Sequence, residues 1–478
     1  MRTAERARGR EARRESPSIT ASLRRAVRVL RVLRRHGLLN PRTRPAPSGV
    51  RAALEELGPV FQKFGQILAL RRDLLPEPYV RELESLHDRV PPLPFEVVRT
   101  VVESELGQGI EAAFGDFDPQ PLAAATIAQV HSARLSDGRQ VVVKVRRPDL
   151  EAAIERDTAV LGYVAWLGDS LVPPLRPLDL PALVMEFRES LRREADFRLE
   201  ARSIRRFREK LAALRQVWIP GVVEDRSTTA VLTMEHSPGE RIDAYVRKHP
   251  EEARGLATGV AALVLRQIFE DGLFHADPHP GNLFVLPDGR LCLHDFGMVG
   301  ELSEPMRLGL GDLLAAEVRG DADGAVDAYL RLGLPGADAD PDRLRGEFER
   351  LLAEMHSRPL GEISLGKEMQ KLLRVGGRNR IRNPRELLLL ARALVIAEAL
   401  LRRLDPELDV IEVFGAQLGR LELRRFSPEH LGREALRLAR LLEQLSLDLP
   451  QNLEMLLRRL GQGDLGRVRD EALTNEIR

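Results

Sequence analysis

The chain has 478 residues, of which 43% are apolar and 30% charged, and its 73 basic residues are balanced by 72 acidic ones. This length and composition exclude an intrinsically disordered chain and a single small core, so we expect two or three packed units. The near-zero net charge excludes a general attraction to nucleic acid, and the single cysteine, Cys292, excludes a disulfide framework and indicates a reducing, cytoplasmic compartment.

The first 48 residues are predicted to form a basic amphipathic segment. Residues 2–35 hold twelve arginines against three glutamates, and from Ile19 to Leu39 apolar residues recur at helical spacing among the arginines. Such a helix either packs on its own protein or lies on the inner face of a membrane as a peripheral contact, and the pattern leaves both interpretations open. The sequence contains no run of about 18 uncharged apolar residues, so no membrane-spanning helix is predicted.

Residues 49–115 continue with a helical pattern that carries Lys63, Gly65 and Gln66. A glycine inside a helix costs about 1 kcal/mol relative to alanine. The cost suggests that another part of the chain approaches Gly65 closely.

Residues 116–237 are predicted to contain an antiparallel sheet with inserted helices, because the pattern changes to a period of two at Pro121. An alanine-rich run leads into one strand, Asp137-Gly138 supplies a hairpin turn, and Val141–Val145 is the returning strand. Lys144 is the one cation in this β-branched strand. It is either an exposed edge-strand lysine or a cation that the sheet carries into a phosphate site.

A predicted helix from Leu180 to Leu211 carries Glu194, Asp196 and Glu200. Asp196 and Glu200 are four residues apart and would share a helix face, so their carboxylates could converge on the two lysines described above. Nearby arginines leave open the alternative of an ordinary charged helix surface; they are Arg192, Arg193, Arg198 and Arg202.

A strand beginning at Val231 is predicted to leave the sheet and to end in a hinge between two lobes. The hinge positions are Met234, Glu235, His236 and Ser237.

Residues 238–425 are predicted to form a mainly helical lobe that carries the chemistry. Asp277 and Asn282 are followed by Asp295-Phe296-Gly297, and the two parts flank a predicted hairpin. In this order, Asp277 can orient or deprotonate a hydroxyl, while Asn282 and Asp295 can hold Mg²⁺. The pattern predicts ATP chemistry. Residues 426–478 are predicted to form a helical tail.

Together these motifs resemble the UbiB family of atypical kinases, the aarF-domain-containing kinases, over roughly residues 20–460. Lys63-x-Gly65-Gln66 is similar to the family's KxGQ signature, and Glu194-x-Asp196 to its ExD motif. The alanine-rich loop, which replaces a glycine-rich phosphate loop, is matched by Ala123, Ala124, Ala125 and Thr126.

The resemblance implies an α+β, bilobal protein-kinase-like fold with a small antiparallel-sheet N-lobe, a mainly helical C-lobe and an N-terminal helical extension. It implies that ATP or ADP is bound by the alanine-rich loop, Lys144 and the hinge, with Glu200 paired to Lys144. It assigns Asp277 and Lys144 to catalysis and Asn282 and Asp295 to Mg²⁺. The implied regulatory residues are Lys63, Gly65, Gln66, Glu194 and Asp196.

An Ala-Pro-Glu motif and room for a long activation loop are missing after Gly297, so a peptide-docking platform is not expected. The resemblance therefore implies ATP hydrolysis, or phosphorylation of a small or isoprenoid-lipid molecule, in support of ubiquinone or related lipid synthesis at a membrane. It is also compatible with a homodimer or with a partner from a biosynthetic complex. The family's C-terminal hydrophobic hairpin is expected to be missing, which leaves the basic N-terminal helix as the expected membrane contact.

Two other functions remain as alternatives from the sequence. A pseudokinase or lipid chaperone would bind nucleotide without turning it over. A metal-dependent phosphohydrolase would use a cluster of alternating histidines and aspartates; its residues would be His275, Asp277, His279, His294 and Asp295.

Overall fold

A small antiparallel sheet followed by a mainly helical region confirms the predicted α+β class. The structure is a computed structural model that describes residues 19–39, 45–70, 75–86, 91–171, 180–336, 339–359, 363–409 and 413. These residues fall within one compact unit, 1–413. The predicted helical tail, 426–478, lies outside the described residues. In the described ranges, every helix is too short or too polar to cross a membrane.

Six helices of the described chain precede the sheet, and the first four of them are α1 (Ile19–Arg35), α2 (Pro47–Leu57), α3 (Pro59–Leu70) and α4 (Glu77–Glu84). Proline opens α2 and α3, where its fixed φ suits the first helical turn. Val29 and Val32 of α1 are buried in a core shared with Leu57 and Phe61. The basic amphipathic helix therefore exists and packs one apolar face on its own protein.

The sheet is built from β1 (Asp116–Ala124), β2 (Ala128–Arg134), β3 (Gln140–Arg146) and β5 (Val231–Glu235). Its strands are antiparallel in the order β1-β2-β3-β5. Gly138 turns the chain between β2 and β3 with a φ of 88°, a conformation that favours glycine. One face of β3 buries Val141, Val143 and Val145 against α5 (Phe95–Leu106) and α6 (Ile110–Ala113).

The segment between β3 and β5 contains α7 (Leu150–Leu171), α8 (Leu180–Glu194), α9 (Phe197–Leu211) and β4 (Val217–Trp218), followed by a 3₁₀ turn, Glu224–Arg226. The continuous helix predicted from Leu180 to Leu211 is wrong, because the chain breaks at Ala195 and Asp196. Asp196 has an extended backbone, and its carboxylate accepts a hydrogen bond from the Arg198 backbone N–H. It thus caps α9 instead of continuing α8.

The region after the hinge contains a second small sheet and a two-stranded ribbon. Its elements are β6 (Glu240–Arg241), α10 (Ile242–Lys248), α11 (Ala253–Leu265), a π-helical turn (Arg266–Asp271), β7 (Leu273–His275), β8 (Leu283–Val285), β9 (Leu291–Leu293) and β10 (Val299–Glu301). The strands β4-β9-β8-β6 form one sheet, and β7 pairs with β10. The predicted hairpin is confirmed as β8 and β9, with Gly289 at a φ of 83° in its turn.

The rest of the described chain is mostly helical. Its elements are α12 (Glu304–Arg319), α13 (Ala322–Leu332), β11 (Leu334–Pro335), α14 (Pro341–His356), α15 (Leu365–Arg378), β12 (Ile381–Arg382) and α16 (Arg385–Leu404). Helix α16 packs against α11 and α15 and also reaches β10. This brings the last described helix next to the end of the Asp-Phe-Gly segment.

Candidate active site

Lys144 projects from the face of β3 opposite its buried valines, because neighbouring strand residues alternate between faces. Its ammonium nitrogen donates to both carboxylate oxygens of Glu200 on α9, at 2.8 and 3.1 Å. The same nitrogen lies 3.6 Å from Oδ1 of Asp295. The structure thus joins three of the sequence-predicted site residues from the sheet, α9 and the Asp-Phe-Gly turn.

The charges of this cluster support one another. Burial alone would lower the pKa of Lys144, but Glu200 and Asp295 outweigh burial and raise it, so the lysine keeps its proton. Lys144 in turn lowers the pKa of Asp295 to about 2, which keeps that carboxylate ionised. Burial raises the pKa of Glu200 and Lys144 opposes the shift. Because Glu200 receives two hydrogen bonds from one ammonium group, we treat this pair as ionised.

The loop from Asp277 to Asn282 is held by its own backbone. The Asp277 carbonyl accepts hydrogen bonds from the backbone N–H of His279 at 2.8 Å and from the side-chain amide of Asn282 at 3.1 Å. The Asn282 carbonyl accepts from the backbone N–H of His294 at 2.9 Å, which ties the loop to the start of the Asp-Phe-Gly segment. The Asn282 amide nitrogen is thus engaged, and its oxygen remains as the ligand atom.

His275 and Phe296 form the buried base of this loop. The Asp277 backbone N–H donates to Nδ1 of His275, and Nε2–H of His275 donates to the His294 carbonyl, at 3.1 and 2.9 Å. Burial lowers the pKa of His275, consistent with the neutral ring that these two bonds require. The Phe296 ring lies 5.6 Å from the His275 ring. The buried side chains of His275 and Phe296 therefore hold Asp277 and Asp295 in position from below the loop.

Arg392 is a site residue that the sequence did not identify. One of its terminal nitrogens lies 3.3 Å from Oδ1 of Asp277, while Oδ2 lies 3.9 Å from Nε2 of His279. Arg392 comes from α16, far along the chain from the loop it contacts. Its isolated charge in an apolar stretch was the available signal, since an arginine in a packed helix usually has a partner.

The KxGQ residues lie on α3 of the extension. The Lys63 ammonium is 2.6 Å from a carboxylate oxygen of Glu194, and the Gln66 amide donates to the Leu86 carbonyl at 3.1 Å. A Cβ added to Gly65 would come within 2.4 Å of Leu86 and 2.7 Å of Leu54. The close approach suggested by the sequence is present, and it explains why this helix position lacks a side chain.

Asp196 does not join the lysine cluster. Both of its carboxylate oxygens are engaged by the Arg198 side chain, at 2.7 and 2.9 Å. The convergence of Asp196 and Glu200 on the two lysines was therefore wrong for Asp196. It failed because Asp196 caps α9 with an extended backbone and does not lie on a helix face with Glu200. Glu194, at the end of α8, takes the position beside Lys63.

The alanine-rich run forms the end of β1 and the turn into β2. Ala123 and Ala124 pair with β2, and the Ala125 backbone N–H donates to the Ala128 carbonyl at 2.8 Å. Thr126 is buried in the turn. The Arg147 side chain donates to the Ala125 carbonyl at 2.9 Å, so the loop is braced from outside the sheet.

The hinge residues continue from β5, the strand next to β3. Met234 lies opposite Val142 in the ladder, and Ser237 is buried. The backbone N–H groups of Glu235 and His236 donate to the carbonyls of Gly221 and Gln140, at 2.9 and 3.1 Å. The Glu235 carboxylate accepts from the Gly221 backbone N–H at 2.8 Å. Those two amide donors and the Glu235 side chain are therefore engaged within the protein.

The metal cluster of the phosphohydrolase alternative is not assembled. Both ring nitrogens of His275 are used in the hydrogen bonds described above. In the described part of the chain, the group of three side chains with ligand atoms within 4.8 Å of one another is instead His249, Glu251 and Glu252, on a different segment. The geometry gives no support to that alternative.

Comparisons with known proteins agree with this geometry. An ABC1 atypical kinase-like domain matches residues 85–329, and a UbiB helical domain matches residues 348–409. The chain is 35% identical over 393 residues to a probable protein kinase UbiB of Xylella fastidiosa (strain 9a5c), covering 80% of this chain and 71% of the relative. It is 31% identical over 375 residues to an uncharacterized protein in the hydrogenase 1 5′ region of Clostridium pasteurianum, covering 77% and 69%.

A solved structure gives a similar result. The complex of Rv3197 with erythromycin, from Mycobacterium tuberculosis, has a TM-score of 0.50 and 29% sequence identity to this chain. The match covers 71% of this chain and 87% of that protein.

Proposed function

Because the chain belongs to the UbiB family of ABC1 atypical kinase-like proteins, we propose that it is a Mg²⁺-dependent ATP phosphotransferase or ATPase. Its proposed acceptor is water or a small or isoprenoid-lipid molecule, and its proposed context is ubiquinone or related lipid synthesis at a membrane. The observation that carries the proposal is the Lys144 ammonium fixed between Glu200 and Asp295.

Lys144 supplies the fixed cation that a triphosphate needs. It keeps its proton, its position is set by two hydrogen bonds to Glu200, and Asp295 lies on its other side. A preorganised cation stabilises the charge that spreads over the phosphoryl oxygens in the transition state, and it does so without reorganisation during the reaction.

Asn282 and Asp295 fit the proposed Mg²⁺ site. Both offer oxygen atoms, which Mg²⁺ prefers, and the carboxylate of Asp295 is ionised because its pKa is about 2. The side chain of Asp295 is 57% exposed, so it is accessible to a nucleotide complex. When bound, Mg²⁺ would neutralise charge on the phosphate oxygens.

Asp277 is the proposed base or orienting group for the attacking hydroxyl or water. Its Oδ1 lies 3.3 Å from a guanidinium nitrogen of Arg392, and its Oδ2 lies 3.9 Å from Nε2 of His279. In the proposed reaction the acceptor oxygen bonds to the γ-phosphorus, the bond to the bridging oxygen of ADP breaks, and Asp277 takes the acceptor proton.

Two features favour a small acceptor over a protein. Lys63 ties the extension to Glu194 on α8, and Gln66 braces the extension internally through the Leu86 carbonyl. In the fully described stretch after Gly297, β10 and then α12 follow without a long activation segment. Between Gly297 and α12, the described chain therefore offers no long segment that could form a peptide-docking platform of the usual kinase type.

Peripheral membrane contact is proposed for α1. Its exposed side presents Val27 and Leu30, 47% and 46% exposed, and exposed arginines surround them. Anionic lipid would attract the arginines while the two apolar side chains enter the interface. We expect Val27→Asp with Leu30→Asp to abolish cosedimentation with anionic vesicles, and Val318→Asp, at another exposed apolar position, to leave it unchanged. Unchanged binding of the double variant would refute this contact.

ATP turnover tests the proposed function. It should require Mg²⁺, fall at least a hundredfold in Asp277→Asn, and rise with anionic liposomes or isoprenoid-phenol analogues. Asp288→Asn, a change of an exposed aspartate in the adjacent hairpin, should match the wild type. Nucleotide binding without Mg²⁺-dependent turnover would contradict the enzyme and favour the pseudokinase alternative.

A further inference from the structure

The proposed reaction leaves one histidine of the catalytic loop, His279, without a role. His275 uses both ring nitrogens in hydrogen bonds, and Nε2 of His294 is buried. The side chain of His279 is 45% exposed, and its Nε2 lies 3.9 Å from Oδ2 of Asp277. Among the described residues, Nε2 of His279 makes no hydrogen bond. A solvent-accessible ring therefore presents one nitrogen to the proposed base.

The backbone of the loop fixes which nitrogen of His279 carries the proton. The Gly281 backbone N–H donates to Nδ1 of His279 at 2.8 Å. A nitrogen that accepts a hydrogen bond uses its lone pair, so the proton of the neutral ring lies on Nε2. The nitrogen beside Asp277 is thus an N–H donor.

Gly281 also fixes where the ring lies. A Cβ added to Gly281 would come within 2.5 Å of Cε1 and 2.8 Å of Nδ1 of His279. The backbone of His279 is held in the same loop, because its N–H donates to the Asp277 carbonyl at 2.8 Å and its carbonyl accepts from the Asn282 N–H at 2.9 Å. The Nε2–H donor therefore has a defined position relative to Asp277.

The gap between His279 and Asp277 fits one oxygen atom. Hydrogen bonds join heavy atoms about 2.7–3.2 Å apart, so one oxygen can lie at that distance from both Nε2 and Oδ2, which are 3.9 Å apart. Arg392 contacts the other carboxylate oxygen of Asp277, Oδ1. A hydroxyl group or water in the gap would donate its proton to Oδ2 and accept a hydrogen bond from Nε2–H.

We propose that His279 is a further catalytic residue, whose Nε2–H holds the acceptor oxygen while Asp277 takes the acceptor proton. The two contacts direct the remaining lone pair of the oxygen, which forms the bond to the γ-phosphorus as the bond to the bridging oxygen of ADP breaks. His279 keeps its own proton throughout. The acceptor class is then water or an alcohol or phenol hydroxyl, because an ionised carboxylate or phosphate has no proton for Asp277. This role rests on the proposed function.

Two substitutions separate the two ring nitrogens. The asparagine side chain can replace Nδ1 as the acceptor for Gly281 but does not reach the position of Nε2, whereas the glutamine amide reaches that position and leaves the Gly281 N–H unpaired. We expect His279→Asn to lower kcat for ATP roughly ten- to a hundredfold with KM unchanged, because the acceptor loses its orientation. His279→Gln should keep kcat within a factor of about three, since one neutral donor replaces another.

His249 supplies the matched control. Its side chain is 44% exposed, and it lies at the end of α10, on a different segment. His249→Asn and His249→Gln should both keep the wild-type kcat. The melting-temperature increase caused by Mg²⁺-ATP should persist in all four variants, which checks the fold and the nucleotide site.

The ranking of the two His279 variants decides the role. A normal kcat in His279→Asn, or an equal loss in both variants, would overturn the donor role. A loss in His279→Gln alone would show that His279 only braces the loop. A wild type without Mg²⁺-dependent turnover would instead remove the proposed function on which this role rests.

The tautomer of His279 can be tested without turnover. Nitrogen-15 spectra of histidine-labelled protein without nucleotide distinguish the two forms, and the His279 signals are assigned by their loss in His279→Asn. We expect the proton on Nε2. A proton on Nδ1 would overturn the proposal even where turnover is normal.

Discussion

Two lysine–glutamate pairs connect different regions of the chain to two consecutive helices, α8 and α9. Lys144 of the sheet meets Glu200 on α9 at 2.8 Å, and Lys63 of the extension meets Glu194 on α8 at 2.6 Å. The first pair also faces Asp295, and its glutamate side chain is 6% exposed. In the second pair the glutamate side chain is 24% exposed, whereas the lysines differ little, with Lys63 13% and Lys144 19% exposed. The similar distances therefore belong to different environments.

The difference teaches that a Lys–Glu distance alone does not define a role. Removing one partner from a buried pair leaves an uncompensated charge, which costs about 3–5 kcal/mol. A carboxylate that reaches solvent replaces its lost partner partly with water, so the cost is smaller. The Lys144–Glu200 pair, the sheet pair, is thus suited to fix a catalytic cation. The Lys63–Glu194 pair, the extension pair, is suited to hold the N-terminal extension on α8 and to release it at lower cost.

Breaking the sheet pair should have the largest effect. In Glu200→Gln, Lys144 loses a charged partner and its fixed position, so we expect ATP turnover to fall at least a hundredfold, as when one preorganised electrostatic contact is removed. Glu209→Gln, at an exposed position on α9, should retain turnover. Circular dichroism of both variants checks the fold, and a folded Glu200→Gln variant with normal turnover would refute the role of the pair.

Glu317 provides the opposite case, a buried carboxylate with no Lys or Arg nitrogen within 4.0 Å among the described residues. Like Glu200 it is 6% exposed, but its Oε1 has no hydrogen-bond partner among the described residues. Burial, assisted by Glu368, raises the pKa of Glu317 to about 8. Because the folded state holds the proton more tightly than the unfolded state, this contribution to stability is full below pH 4.5 and is lost as the pH rises through 8.

Chemical denaturation at pH 6 and pH 8.5 measures this effect. We expect the stability of Glu317→Gln relative to the wild type to be greater at pH 8.5 than at pH 6 by roughly 2–3 kcal/mol, because the wild type loses stability as the pH rises from 4.5 through 8. Glu349→Gln, at an exposed position on α14, serves as the control. The same difference at both pH values would show that Glu317 does not titrate in this range.

Breaking the extension pair should have a smaller and different effect. We expect Lys63→Ala to raise turnover, or to change the preference between ATP and ADP, by about tenfold. Loss of the pair would lower the free energy that holds the extension on α8 by about 1.4 kcal/mol, which makes the released state about tenfold more populated. Reversing the pair, as Lys63→Glu with Glu194→Lys, should restore wild-type behaviour. A Lys63→Ala variant equal to the wild type in both properties would contradict a regulatory extension.

Asp196 should give the smallest effect. As the cap of α9, its replacement in Asp196→Ala should lower the free energy of unfolding by about 1 kcal/mol and leave turnover unchanged. Denaturant unfolding and turnover are measured on the same preparation. A change in nucleotide preference like that expected for Lys63→Ala would return Asp196 to the regulatory group.

The sequence could predict the parts of the site that local contacts define. The loop from Asp277 to Asn282 and the β8–β9 hairpin are fixed by short-range hydrogen bonds and a glycine turn, so their spacing is visible in the motif. The order of helical extension, sheet and helical lobe was likewise predicted from the change of period at Pro121. The helix-face spacing indicated only that Glu200 could reach one of the two lysines, and the resemblance assigned it to Lys144.

The sequence did not predict the parts of the site that depend on helix packing. Arg392 reaches Asp277 from a helix far along the chain, and its sequence context is an ordinary apolar stretch. Arg374 and Arg385 belong to no motif, and only the packing of α15 against α16 brings them to the wall of a cavity that Asp277 also lines. The break at Asp196 was missed because a cap and a helix-surface aspartate look alike in a charged segment.

The melting temperature with and without Mg²⁺-ATP tests most directly whether Lys144, Glu200 and Asp295 form a nucleotide site. We expect Mg²⁺-ATP to raise the melting temperature of the wild type and of Asp288→Asn, and to leave that of Asp295→Asn unchanged because its ionised ligand is gone. An equal increase in Asp295→Asn would contradict the assignment of this cluster to nucleotide and metal.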